Sequence, residues 1–319
     1  MTSLNMNERA RDLADLMVED AAGLRIRATT LANGARVIDV GARVDGGLNA
    51  GLLLGEICMG GLGDVDYASL TLGGDNWPGV QVRTDHPAPA CMGSQYAGWA
   101  IQVGSYFAMG SGPLRAHARV EKELFEKLHY AEDATCGVLV LEGRDLPTDA
   151  VAEFVAKKAN LSPAQLTLLI SPTASLAGGT QISARILETG LHKMETLGFD
   201  VRKVVSGIGT APIPTIAKND LRGIGRTNDC ILYGGQAHYT VRADDTELAQ
   251  LAAQLPARAS KDYGTPFYDI FERYNRDFYK IDPLLFSPAE VWLTSVTSGK
   301  THHAGGVNVD VLKQSLFSE

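Results

Sequence analysis

The stretch GVLVLEGRDLPTDAVAEFVAKKANLSPAQLTLLISP, residues 137–172, decides the fold class. GVLVLE (137–142) is a short apolar run of strand length and reads as a buried strand. LTLLISP (166–172) reads as a second. Between them, residues 147–158 read as a helix that opens on Pro147-Thr148-Asp149. Alone, strands separated by a helix would fit a parallel sheet. The flanking sequence adds hairpins. LRIRATTLANGARVIDVGA alternates on both sides of Asn33-Gly34. Residues 65–83 read as two strands around Gly73-Gly74-Asp75, and VWLTSVTSGKTHHAGGVNV as a closing hairpin around Ser298-Gly299. Strands that occur both in hairpins and between helices predict an α+β fold with mixed sheets, not a doubly wound parallel sheet.

Further out, residues 7–22 read as an amphipathic helix with Leu13, Leu16, Met17 and Ala21 on its apolar stripe. The glycine-rich residues 44–63 imply close backbone packing or a tight loop. Residues 91–107 read as a helix and a short strand, and LRAHARVEKELFEKL after Pro113 as one helix. QISARILETGLHKMETL (181–197) also reads as one helix, DCILYGGQAHYTVRA as a hairpin, and DTELAQLAAQL, PFYDIFERYN and VDVLKQSLF as helices. No linker stands out. The chain of 319 residues reads as a single two-lobed catalytic unit, 1–319, whose lobes need not be continuous in sequence.

The net charge of −8 is spread along the chain, with no basic stripe, so nucleic acid is not an expected partner. Cys58, Cys91, Cys136 and Cys230 are far apart and form no CxxC. The opening MTSLNMNERARDLADLM carries charges where a signal peptide needs an apolar core, and no apolar run approaches the ~18–20 residues that span a bilayer. A cytoplasmic, reduced setting with buried cysteines is expected. The scattered His86, His117, His129, His192 and His238, and the adjacent His302-His303 in an expected turn, make no metal set. There is no GxSxG elbow for a serine nucleophile.

Residues 181–197 are the most informative stretch. At ~100° per residue, Ile182, Ile186, Leu187, Leu191, Met194 and Leu197 share one arc, and Arg185, Glu188, Thr189 and His192 share the other. Arg185 and Glu188 are i,i+3 neighbours. Spacing alone reads as a solvated salt bridge. The small residues just before, Gly178-Gly179-Thr180, would instead let a ligand approach a helix start.

Gly110-Ser111-Gly112-Pro113 with Arg115 is a second candidate, a glycine loop opening a helix. It is either a plain loop or a phosphate cradle, and it lacks the P-loop ending. Arg226, Thr227, Asn228 and Asp229, just ahead of an expected apolar strand, suit a polar ligand head or an Asx-turn hairpin. Thr84-Asp85-His86-Pro87 ends a strand, as a turn or as a ligand contact.

The strings EICMGGL, TDHPA, AGWAIQVGSYFAMGSGP, SPTASL, QISARILETGL, GTAPI, IGRTNDCILYGG, FYKIDPLLFSPAEV and GGVNVDVLK resemble methenyltetrahydromethanopterin cyclohydrolase. The resemblance runs from about residue 10 to the C-terminus. It implies reversible hydrolysis of N5,N10-methenyltetrahydromethanopterin to the N5-formyl compound, with no metal or cofactor. It implies a two-lobed subunit with the substrate cleft between the lobes, commonly in a homotrimer. Catalysis would fall to the residues matching Arg185 and Glu188. Thr84, Asp85, Gly110, Ser111, Gly112, Arg115, Thr210, Arg226, Thr227 and Asn228 would line the cleft. A non-catalytic pterin-binding protein and a folate-type one-carbon enzyme are the competing readings.

Overall fold

The computed structural model describes residues 4–317. The strands, in chain order, are β1 (Arg27–Thr30), β2 (Arg36–Asp39), β3 (Asp64–Leu72), β4 (Asp75–Thr84), β5 (Trp99–Val103) and β6 (Tyr106–Ser111). They continue as β7 (Gly137–Glu142), β8 (Leu166–Ser171), β9 (Val204–Pro212), β10 (Gln236–Val241), β11 (Glu290–Ser295) and β12 (Thr301–Gly305). The helices are α1 (Met6–Glu19), α2 (Ala21–Leu24), α3 (Leu48–Cys58), α4 (Leu114–Ala118), α5 (Lys122–Leu128) and α6 (Asp149–Ala159). After them come α7 (Leu176–Ser183), α8 (Ile186–Thr196), α9 (Asp220–Gly234), α10 (Asp245–Gln254), α11 (Phe267–Arg273) and α12 (Val309–Phe317).

The chain divides into two compact units, each built from two segments. One comprises Met1–Gly63 and Pro89–Gln181, the other Asp64–Ala88 and Ile182–Glu319. Each holds a six-stranded mixed sheet, as an α+β fold requires. In the first unit the order is β1-β2-β8-β7-β6-β5, with β2 and β7 parallel to β8 and the other pairs antiparallel. In the second unit the order is β12-β11-β10-β9-β4-β3, where only β10 and β11 pair in parallel.

The two sheets differ in how they are covered, and the sequence patterns follow. In β7, Leu139 and Leu141 pack with Val151, Ala152 and Val155 of α6. Val138 and Val140 pack on the opposite side with Ala10, Ala14 and Met17 of α1 and Leu54 and Ile57 of α3. A strand buried on both faces needs apolar residues at every position, which is why GVLVL is unbroken. In the second unit, β10 and β11 alternate between buried and more exposed positions. One face is core, formed by residues such as Ala237, Tyr239, Val291 and Leu293. The other is open and carries a stack of His238, Trp292 and His303 rings.

Several local expectations need correction. Leu16 of α1 points outward, and the buried stripe is Met6, Asn7, Ala10, Ala14 and Met17. Of the two alternatives for the glycine-rich 44–63 stretch, close backbone packing is the one seen, on the helix α3. A Cβ at Gly51 would stand 2.6 Å from Thr180 Cβ of α7, so this glycine serves close helix packing. The segment before β5 is a π-helical turn series, Ala88–Gln95, and the single strand expected after it is the β5–β6 hairpin.

LRAHARVEKELFEKL is two helices, not one. Arg119 adopts φ 51°, and Glu121 folds back so that Arg115 Nε donates to its carboxylate at 2.9 Å. The expected hairpin at DCILYGGQAHYTVRA is the end of α9 followed by β10. Asn219 caps α9 by accepting from Arg222 N at 2.9 Å. The two glycines inside α9 disfavour a helix locally, but packing overrides them. A Cβ at Gly225 would lie 2.9 Å from Tyr268 Cβ, so α9 lies close against α11.

Candidate active site

The stretch predicted as one helix over 181–197 is broken. α7 ends at Ser183, whose hydroxyl donates to Pro212 O at 2.8 Å. Arg185 N closes a turn on Ile182 O at 3.0 Å, and Arg185 becomes the N-cap of α8 with φ −80° and ψ 9°. Glu188 is then the third residue of α8 and lies in its first turn. The break creates a second helix start, with its partial positive charge, beside a carboxylate.

Both side chains are buried: Arg185 is 8% exposed and Glu188 7%. That overturns the solvated salt bridge. Burying a charged group is costly unless the protein surrounds it with partners. The arc expected to be polar is therefore partly interior, with Thr189 and His192 half-buried. Thr189 Oγ1 returns a hydrogen bond to Arg185 O at 2.8 Å.

Lys193, which no sequence motif marks, is fully buried on the same helix. Its ammonium donates to Pro256 O at 2.9 Å, and burial pushes its pKa down to about 8. Its i−3 and i−7 neighbours, Gly190 and Ile186, are buried too, and that helical spacing was the available signal.

The remaining second-unit candidates lie on or beside β4, on β9 and on α9, and Thr84 is the register partner of Gly207, where a Cβ would lie 3.2 Å from Leu187 of α8. Thr84 ends β4, is buried, and accepts from His86 N at 3.0 Å, whereas Asp85 and His86 are exposed. Thr210 on β9 alternates with Gly209, where a Cβ would lie 3.1 Å from Ile186 of α8. Successive strand residues point to opposite faces, so Thr210 is not on the face that α8 covers.

Arg226, Thr227 and Asn228 lie on α9, neither in an Asx-turn nor ahead of a strand. Arg226 donates to Ile216 O at 2.8 Å. Thr227 and Asn228 bond back to Gly223 O and Ile224 O of their own helix. Beside them Asp229 is fully buried, and burial raises its pKa to about 8. Its Oδ1 accepts from Phe267 N at 2.8 Å, so it caps α11 from a neighbouring helix.

In the first unit, Gly110 and Ser111 close β6 and so belong to a strand rather than a loop. Ser111 Oγ is 3.6 Å from Cys58 Sγ. Gly112 has φ 102° and donates its N–H to Ser94 O at 2.8 Å. Arg115 has no exposed surface. Its guanidinium donates to Met92 O and Ser94 O at 3.3 and 3.1 Å and stands over the rings of Tyr96 and Phe125. It fastens the carbonyls at the end of the π-helical turns.

His302 and His303 lie on β12, not in a turn, beside Asp245 and Glu290 respectively. Among the described residues, no group of three or more His, Cys, Asp or Glu side chains is placed to hold a metal ion. The four cysteines are buried, with none in a disulfide. No helix of the described residues is long and apolar enough to cross a membrane.

The family model described as Cyclohydrolase (MCH) matches residues 5–316. The methenyltetrahydromethanopterin cyclohydrolase of Methylobacillus flagellatus is 46% identical over 314 residues, covering 98% of this chain and 95% of the relative. Its namesake in Methylobacterium sp. (strain 4-46) is 45% identical over 317 residues, covering 98% and 97%. That of Methanosarcina barkeri is 43% identical over 315 residues, covering 98% of each. With a match of this length and identity, and with Arg185 and Glu188 buried together at a helix start, the chain belongs to the MCH cyclohydrolase family.

Proposed function

We propose that this chain hydrolyses N5,N10-methenyltetrahydromethanopterin reversibly to N5-formyltetrahydromethanopterin in one-carbon metabolism. The supporting observation is the buried Arg185–Glu188 start of α8 in a chain similar to cyclohydrolases over 98% of its length.

The chemistry suits the residues. The methenyl bridge is a cationic amidinium carbon and is electrophilic without a metal. Water must be positioned and must lose a proton as it attacks that carbon. Glu188 accepts the proton as general base. The same carboxyl then returns the proton to N10 as the C–N10 bond breaks, and the adduct's hydroxyl proton is released to solvent as the formyl C=O forms, so hydrolysis of the cation yields one net proton.

A lone cation beside a cationic substrate would be unfavourable. Arg185 and Glu188 together form a nearly neutral unit, which removes that objection. Arg185 orients Glu188 and the water or the nascent formyl oxygen, using its planar fork of donors. Arg115, which has no exposed surface, holds the loop carbonyls of Met92 and Ser94 and remains a proposed substrate-binding position to be tested by substitution. Thr84, Asp85, Gly110, Ser111, Gly112, Thr210, Arg226, Thr227 and Asn228 remain proposed substrate-binding positions, each to be tested by single substitution. The reading needs no resident cofactor and places the enzyme in the cytoplasm as a homotrimer.

The deciding experiment incubates the protein with methenyltetrahydromethanopterin and follows the decay of its near-ultraviolet absorbance. Catalysed decay is expected. Binding without turnover, or activity on the folate analogue alone, overturns the reading. Light scattering at three times the chain mass of 34.1 kDa supports the trimer, and any other mass refutes it.

A further inference from the structure

Tyr239 on β10 is 1% exposed and packs directly against α8's base-bearing turn. Its hydroxyl donates to the main-chain carbonyl of Leu187 at 2.9 Å, a bond made to a helix from outside it. The carbonyl of Leu187 and the N–H of Glu188 belong to one planar peptide unit. Whatever holds that carbonyl also holds the plane from which the Glu188 side chain departs.

The space for this contact is made by two glycines. A Cβ at Gly190 would stand 2.1 Å from the Tyr239 hydroxyl oxygen and 3.0 Å from the ring carbon that bears it. Gly207 is the register partner of Tyr239 on β9, and a Cβ there would lie 3.2 Å from Leu187 Cδ1 and 3.5 Å from Tyr239 Cδ1. The ring thus fills the gap left by a glycine on the helix and a glycine on the neighbouring strand. Closely packed interiors transmit such placements because few voids remain to absorb a shift.

We propose that Tyr239, seated against Gly190, is a positioning residue that sets the reach of Glu188 toward the attacking water. This rests on the reading of Glu188 as the general base. Tyr239 touches neither substrate nor water in this role and acts only through the Leu187–Glu188 peptide.

The test uses the full chain and separates turnover from binding. Tyr239→Phe keeps the ring and removes only the hydroxyl. Its kcat is expected to fall about tenfold to a hundredfold, the range that a misplaced catalytic group produces. Affinity for methenyltetrahydromethanopterin, measured in the non-turning Glu188→Gln background, should stay within about twofold, since a positioning role leaves ground-state binding intact. Gly190→Ala drives a methyl into the Tyr239 hydroxyl and should lower kcat at least as far. In the Tyr239→Phe background the same Gly190→Ala change should cost less, because the clashing oxygen is gone.

A wild-type kcat in Tyr239→Phe overturns the positioning role, as does a loss of affinity equal to the loss of kcat. Full additivity of the two changes also overturns it. A wild-type chain that does not turn over the substrate overturns the function reading itself, and this proposal with it.

Discussion

Glu188 and Arg185 are charged residues inside the protein, and their burial sets what each substitution should do. Glu188→Gln preserves shape and hydrogen-bonding atoms but cannot accept a proton at neutral pH. Turnover is expected to fall by about 10² or more, the general-base contribution, while pterin binding survives. Stopped-flow absorbance and equilibrium binding measure the two separately, and near-wild-type turnover would refute the base assignment. Arg185→Lys keeps the charge and loses the planar fork. It is expected to lose roughly tenfold or more in kcat, about the value of one well-oriented charged hydrogen bond. An unimpaired rate would mean that charge alone is used. The spacing of Arg185 and Glu188 was legible in the sequence. Their burial was not, because i,i+3 ion pairs on a solvated face have the same spacing.

The elements show where local pattern sufficed and where it failed. β1–β2, β3–β4 and β11–β12 follow from alternation and turn residues. The break between α7 and α8 carries no glycine or proline at 184–185, so nothing local announces it. It arises from partners distant in sequence, such as Pro212 O on Ser183. α9 was missed for the opposite reason: glycines suggested a turn where packing demanded a helix.

Gly51 tests that kind of packing on α3. In an isolated helix, glycine to alanine would stabilise by about 1 kcal/mol. Here the new methyl would sit 2.6 Å from Thr180 Cβ and 2.9 Å from Ala177 O. Overpacking costs about 1–3 kcal/mol, so the clash outweighs the propensity gain. Gly51→Ala should lower the urea midpoint, and a raised midpoint would show that α3 and α7 can move apart freely.

At the scale of the whole molecule, Asp229 links stability to pH. It lies on α9, accepts from the first residue of α11 and hydrogen-bonds Ser315 of α12. Burial holds its folded pKa at about 8 from an ordinary 3.8. A raised carboxyl pKa means that the folded state binds the proton more tightly. Its contribution to stability is full below about pH 4 and is lost as pH rises toward 8. Thermal unfolding of wild type and Asp229→Asn from pH 5 to 9 should show the wild type losing ground to the variant as pH rises. Lys193, with its pKa lowered to about 8, titrates in both proteins and cancels in the difference. A constant difference across that range would refute a protonated Asp229.

The α+β class, the mixed pairing of strands and the family were legible from the residues alone. Those depend on periodicity, turn chemistry and ordered motifs, all of which are local. Three features come from the three-dimensional fold alone: Arg185 and Glu188 are interior, α8 starts anew after α7 ends, and Tyr239 and Lys193 hold α8. Each of these depends on a group far away in the chain: Pro212 for the break, β10 for Leu187, Pro256 for Lys193. Burial and long-range hydrogen bonding are properties of chain return, and no local spacing encodes where the chain returns.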